Sequence, residues 1–267
     1  MLPYAIRLPV VPAVPIVVSI PHTGTYIPAD IAANLASDAM RELPMTDWHL
    51  HHLYDFLPLL GVTTIYATWS RFVADMNRPP VPRELYPGRF ETGLVATETF
   101  WGDTIWQTPP DAAEIERRRR LVHAPYHAAL ARLLREARGK FGRVTLIDAH
   151  SVASRASKLH AELTDDIYLG DRDGASNSGA LTEIVENHFL AAGFKVVRNA
   201  PYKGGYITDN YGRWDNVEAL QIEMCQRLYM EEDDPQGALR QAKFPRIKAI
   251  LFDLFRALCA GQRRVTA

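Results

Sequence analysis

The side chains with chemistry to offer stand where apolar runs end. In VVSIPHTGTY an apolar segment stops and His22 follows at once, with Pro21 and Gly24 shaping the turn. An imidazole there projects from a strand end, where it either bonds local backbone or ligates. In TLIDAHSVAS, Asp148 and His150 are two residues apart and share one side of an extended chain. One of them can ligate while the other orients it, because a metal-bound imidazole passes its second N–H to a carboxylate or carbonyl. A mutually satisfied polar pair is the plain alternative. TDWHLHHLYDF places Asp47 in the first turn of an expected helix that Thr46 can cap, a position the macrodipole favours for a carboxylate. His49, His51 and His52 fall on different faces of that helix and cannot converge on one ion.

RFVADMNRPP offers Arg71, Asn77 and Arg78 within one loop, and guanidinium forks suit carboxylates and developing oxyanions. VEALQIEMCQ is the least ordinary segment, because Glu223 lies inside an apolar strand. A carboxylate there either has a partner, such as an arginine, or faces a cleft as a tuned base.

These residues need a scaffold that brings strand ends together. Short β-branched runs, Ile16-Ile20, Thr63-Trp69, Val144-Asp148, Ile167-Gly170, Lys195-Arg198 and Ala219-Met224, alternate with helical stretches over Asp47-Leu60, Pro110-Arg138, Ser178-Ala192 and Pro235-Ala260. That alternation predicts an α/β domain, in which sites gather at the carboxyl ends of strands. Residues 70–109 carry several prolines and no clear period, and so read as a long functional loop.

The 267 residues fit one catalytic domain over 1–267, and Lys plus Arg (30) balance Asp plus Glu (31), which gives no global field for nucleic acid or an anionic membrane. The partner expected is a small molecule; oligomeric state is not legible. Two cysteines outside any CxxC pattern supply no disulfide framework and suit a reducing cytoplasm. The proline-broken N-terminus reads as mature soluble sequence rather than a leader or membrane span. HExxH, GxSxG, GxxxxGK[ST] and GxGxxG are all absent, which removes the zincin, serine-hydrolase, P-loop and dinucleotide-binding readings.

SIPHTG, TD, ADMNRP, DAHS, PYKGGYITDNYG and QIEMCQ follow one another across positions 19 to 226 in the order of the N-formylglutamate amidohydrolase family, which the chain resembles. That family is in turn similar to zinc carboxypeptidases and to the succinylglutamate desuccinylase and aspartoacylase group. The resemblance implies a three-layer α/β/α fold with a mixed, mostly parallel sheet like that of the carboxypeptidases. It also implies one zinc ion on His22, His150 and an acidic third ligand. The carboxypeptidases carry that acid three residues after the first histidine; here the position is Thr25, and Asp47 is the candidate. Asn77 and Arg78 correspond to the pair that polarises the carbonyl or grips substrate, and Glu223 to the general base. Arg71, Lys203 and the backbone at Gly204 and Gly205 would complete a pocket for the two substrate carboxylates. The implied reaction is hydrolysis of N-formyl-L-glutamate to formate and glutamate in histidine breakdown. Deacylation of another N-acyl amino acid and a non-catalytic binding protein on the same fold are the competing readings.

Overall fold

The computed structural model of the chain describes residues 1–265, so the last two residues of the expected 1–267 domain lie outside it. Seven strands form one sheet in the order β1-β3-β2-β4-β7-β5-β6. They are β1 Tyr4–Arg7, β2 Ile16–Ile20, β3 Thr63–Ala67, β4 Val144–Val152, β5 Ile167–Gly170, β6 Val196–Arg198 and β7 Val217–Cys225. β2 pairs in parallel with β3 and β4, as do β4 with β7 and β5 with β6, while β1 on β3 and β5 on β7 run antiparallel. The sheet is therefore mixed and mostly parallel.

Both faces are covered by helices. On one, Ser19 of β2 bonds the hydroxyl of Tyr126 from the helix Ala124–Phe141, and Ser19 sits in register beside Asp148 of β4. On the other, Gln262 of the helix Lys243–Val265 donates to Thr145. Because side chains alternate along a strand, Asp148 and His150 share the face that meets Tyr126. β2 and β4 are buried along their whole length, and the polar residues of β4, Asp148 and His150 among them, must be satisfied inside the protein.

The helix expected over Pro110-Arg138 is one run of three parts: Ala112–Arg118, a π-helical turn Arg119–His123, and Ala124–Phe141. The Asp111 carboxylate caps its start by accepting the Glu114 N–H at 2.8 Å. Gly142, at φ 77°, closes its end by donating to the Arg138 carbonyl.

The stretch 47–60 departs from the helix expected there. It consists of a short helix Leu50–Leu53 and a 3-10 turn Leu57–Leu60, separated before Pro58, and His49 at φ 59° begins the first without a side-chain cap. Thr46 and Asp47 are therefore not its capping residues. Asp47 instead turns its carboxylate toward β4, where the Ser151 N–H donates to it at 3.1 Å. The sequence does not anticipate β1 or the helices Ala29–Ala32, Asp38–Arg41 and Tyr206–Tyr211, all too short to display a period. Residues 70–109 carry no helix or strand, as expected, and lie against the carboxyl end of the sheet. No helix among the described residues is long and apolar enough to cross a membrane.

Candidate active site

A cavity opens where β2, β4 and β7 end. His22 follows β2, His150 lies near the end of β4, and Glu223 is its register partner on β7. Asp47, the loop residues Arg71, Asn77 and Arg78, and Gly205 complete the wall. Parallel strands deliver these side chains to one edge from positions far apart in the chain.

His22, Asp47 and His150 are buried, and one ligand atom from each lies within 4.8 Å of the others. The Asp47 carboxylate faces both rings, with Oδ2 at 3.2 Å from His150 Nδ1 and 3.8 Å from His22 Nδ1. The opposite nitrogen of each ring meets a carboxylate: His22 Nε2 lies 2.6 Å from Asp75 Oδ1, and His150 Nε2 lies 3.0 Å from Asp148 Oδ2. The carboxylates thus orient the two Nδ1 atoms inward. His22 Nδ1 is buried without a hydrogen-bond partner, which costs stability unless something occupies that direction.

Asn77 ties the loop to the cluster. Its amide nitrogen lies 3.0 Å from Asp148 Oδ2 and 2.9 Å from His150 Nε2, while its amide oxygen accepts the Ile207 N–H at 2.8 Å. The backbone of Gly205 packs so closely on that amide that a Cβ there would come within 2.4 Å of Asn77. Arg78 donates from Nε to the Thr92 carbonyl and from one Nη to the Asn77 carbonyl, and its other Nη has no hydrogen-bond partner among the described residues. Arg71 is held within the wall: it bonds Asp75 at 2.6 Å and lies over the Phe100 ring.

Burial and neighbouring charge set these groups apart electrostatically. Burial raises the Glu223 pKa to about 8, with His150 and Arg71 opposing the shift and Asp47 and Asp148 adding to it; its hydrogen-bond partner is the Gln221 amide, and no arginine forms an ion pair with it. Asp75 is buried as well, but Arg71 and His22 outweigh that penalty and hold its carboxyl well below the ordinary range. Burial, reinforced by Arg71, lowers the His22 pKa. At His150 burial acts in the same direction, yet the Asp148 and Asp47 carboxylates prevail and carry it well above its usual value.

The donor set suits a divalent cation. Two imidazoles and one carboxylate converge, each ring is oriented from behind by a second carboxylate, and the inward His22 nitrogen is otherwise unsatisfied. Lys203, expected at the pocket, instead reaches outward to Asp173 at 2.8 Å and does not line the cavity. Gly204 also lies outside the lining; its carbonyl accepts the Tyr86 hydroxyl. Asp75, Arg89, Tyr86, Tyr202 and Gln221 were not singled out from sequence. Asp75 stood two residues before Asn77 in the same loop, and Gln221 two before Glu223 on the same strand face, so period-2 spacing was the available signal.

Fold and cluster together define an α/β protein with a buried His–Asp–His site at the carboxyl edge of a mixed sheet. The N-formylglutamate amidohydrolase family model matches residues 14–230, and the chain belongs to that family. N-formylglutamate deformylases of Pseudomonas aeruginosa and Pseudomonas putida are 37% and 36% identical to it, over 94% and 92% of this chain and the same shares of their own. The crystal structure of N-formylglutamate amidohydrolase from Ralstonia eutropha superposes with a TM-score of 0.86 at 29% identity, covering 99% of both chains. A gene product of Agrobacterium tumefaciens shares the fold, with a TM-score of 0.75 at 18% identity over 99% of this chain and 97% of its own.

Proposed function

We propose that this chain is a metal-dependent hydrolase that converts N-formyl-L-glutamate to formate and L-glutamate. The observation that carries the proposal is the His22–Asp47–His150 cluster opening beside Glu223 into one cavity, in a chain whose relatives are named for this deformylation. His22, Asp47 and His150 would hold one divalent ion, with zinc the expected metal. When bound, that ion supplies Lewis acidity to water and to the formyl carbonyl.

The protein's own groups do the rest. Glu223 takes a proton from the attacking water, the water oxygen joins the formyl carbon, and the C–N bond breaks as Glu223 returns the proton to the leaving nitrogen. The Glu223 carboxylate faces the cavity with the Gln221 amide as its hydrogen-bond partner and no arginine paired to it, which leaves it able to take and return that proton. Arg78, with a free Nη at the cavity, stabilises the charge that develops on the carbonyl oxygen. Asn77 holds Asp148 and His150 in place, and Arg71 does the same for Asp75 and through it His22. Arg89, on the cavity wall and anchored to the Pro201 and Leu159 carbonyls, is placed to meet a substrate carboxylate, whereas the Gly205 N–H, expected to do the same, already donates to Gln221 Oε1 at 2.8 Å. One domain carries the whole reaction, since every assigned group lies at one edge of one sheet. The expected setting is histidine breakdown in the cytoplasm, with which two buried cysteines that form no disulfide agree.

Metal analysis combined with formate release tests the reading. Metal-replete protein should release formate and glutamate in equal amounts, lose that activity to a chelator, and recover it with a divalent cation. Absence of turnover on N-formyl-L-glutamate, with turnover of another N-acyl amino acid, would transfer the reading to that substrate.

A further inference from the structure

The loop that carries Asn77 and Arg78 is clasped from behind by two histidines that take no part in the cluster. His123 and His127 are four residues apart and face one way, their ring centroids 4.2 Å apart. His127 Nε2 donates to the Met76 carbonyl at 2.8 Å, and His123 Nε2 donates to the Arg78 carbonyl at 2.9 Å. The Asn77 carbonyl between them accepts the Tyr206 N–H. Three consecutive carbonyls are therefore held, two of them by imidazoles from one helix.

We propose that His123 and His127 are positioning residues for the reaction, setting the backbone of residues 76–78 so that the Asn77 amide and the Arg78 guanidinium meet the cluster and the substrate. The proposal deepens the function assigned above and rests on Asn77 and Arg78 belonging to that site.

Both bonds require an imidazole N–H aimed at a carbonyl, so each ring must carry its proton on Nε2. At His127 the Met76 carbonyl, which can only accept, requires the proton on Nε2, and Nδ1 faces the Tyr211 hydroxyl at 2.9 Å, which also lies 3.2 Å from the His127 carbonyl. Burial lowers the pKa of both histidines, that of His127 to about 3 with the neighbouring His123 adding to the effect, which keeps the rings neutral. The π-helical turn Arg119–His123 ends on the first of the pair, and such turns insert a residue that re-aims side chains, often at functional sites. Direct contact with substrate is not required of either ring: neither lines the cavity.

The test compares His127→Leu with His127→Gln, which retains a side-chain N–H donor, in the metal-loaded enzyme. Misplacing reacting groups by about 1 Å costs roughly 100-fold in rate, so the leucine variant should lose about that much kcat with little change in KM. Glutamine should recover most of the loss. Amide exchange should rise at residues 75–78 in the leucine variant alone. His188→Gln is the control, because His188 also bonds a backbone carbonyl, that of Ile250 at 3.0 Å, away from the site, and it should leave kcat unchanged. A folded leucine variant with normal kcat, or leucine and glutamine variants equally impaired, would overturn the proposal. If the leucine variant does not fold, Tyr211→Phe keeps the question open to measurement: losing the hydroxyl that lies against His127 Nδ1 and the His127 carbonyl should lower kcat about 3- to 10-fold, and an unchanged kcat rejects the role. Asn77→Ala and Arg78→Ala separate the two readings. If both retain full turnover, the site itself is misassigned; if both fail while His127→Leu does not, only the positioning role falls.

Discussion

Of the four buried carboxylates at the site, Asp47, Asp75 and Asp148 each lie within 4.0 Å of an arginine or histidine nitrogen, whereas Glu223 has only the Gln221 amide. The alternative of a structural ion pair with arginine, open from sequence, is thus not what the geometry contains. Glu223→Gln should keep the hydrogen bond and the shape, bind substrate as before, and lower kcat about 100- to 10,000-fold, the usual cost of losing a general base. A melting temperature that falls while turnover persists would refute the assignment. Gly205 makes a different prediction. A methyl group there has no room beside the Asn77 amide, so Gly205→Ala should cost about 1–3 kcal/mol of stability through overpacking and should lower kcat as Asn77 shifts. Thermal melts with kinetics on the same preparation check both effects. Glycine was legible at position 205 in the sequence, but the reason for it was not, because the contact is with a residue 128 positions earlier.

At the level of elements, the central strands were readable because burial on both faces leaves apolar runs bounded by turn residues, and β2 and β5 fall where the sequence placed them. The stretch 47–60 was not. Its apolar spacing suits a helix, but Asp47 finds its hydrogen bond on Ser151 of β4, and such tertiary competition leaves no local mark. The long helical run 112–141 gives an element-scale prediction. Arg118 is fully buried against the Trp106 ring, and Glu114 accepts its Nε–H at 2.7 Å while also pairing with Arg117. Arg117 first, then Arg118, holds the Glu114 pKa down to about 2 from an ordinary 4.5. A depressed carboxyl stabilises the fold fully above the unfolded value, and that contribution is lost as pH falls from about 4.5 through about 2. Glu114→Gln should therefore destabilise the protein by about 1–2 kcal/mol near neutral pH, a figure discounted because Glu114 is partly exposed. The gap to the wild type should close in denaturant melts between pH 4.5 and 2. A gap independent of pH across that range would show that the pair's charge contributes nothing.

Over the whole molecule the charges nearly cancel, at a formal −1, but their distribution is uneven. Four carboxylates are buried around the cavity, and Arg71 is the permanent cation buried among them. Like charges held in a low dielectric repel strongly, and the protein relieves this in part by charging His150 and leaving Glu223 protonated. A divalent ion on His22, Asp47 and His150 would relieve it further, and because the unfolded chain has no such assembled site, binding becomes folding stability. At a free cation concentration about 100-fold above the dissociation constant the gain is about 2.7 kcal/mol. For a domain of this size that corresponds to a rise of roughly 5–10 °C in melting temperature. Zinc added to chelator-stripped protein should produce such a rise, whereas His22→Ala and His150→Ala should melt at temperatures insensitive to the metal. Asp47→Asn is the discriminating variant. It retains the hydrogen bond from Ser151 but lacks the anionic oxygen, so it should fold normally and bind zinc more weakly, needing a higher concentration for the same shift. An Asp47→Asn protein that responds to zinc as the wild type does would show that the third ligand lies elsewhere.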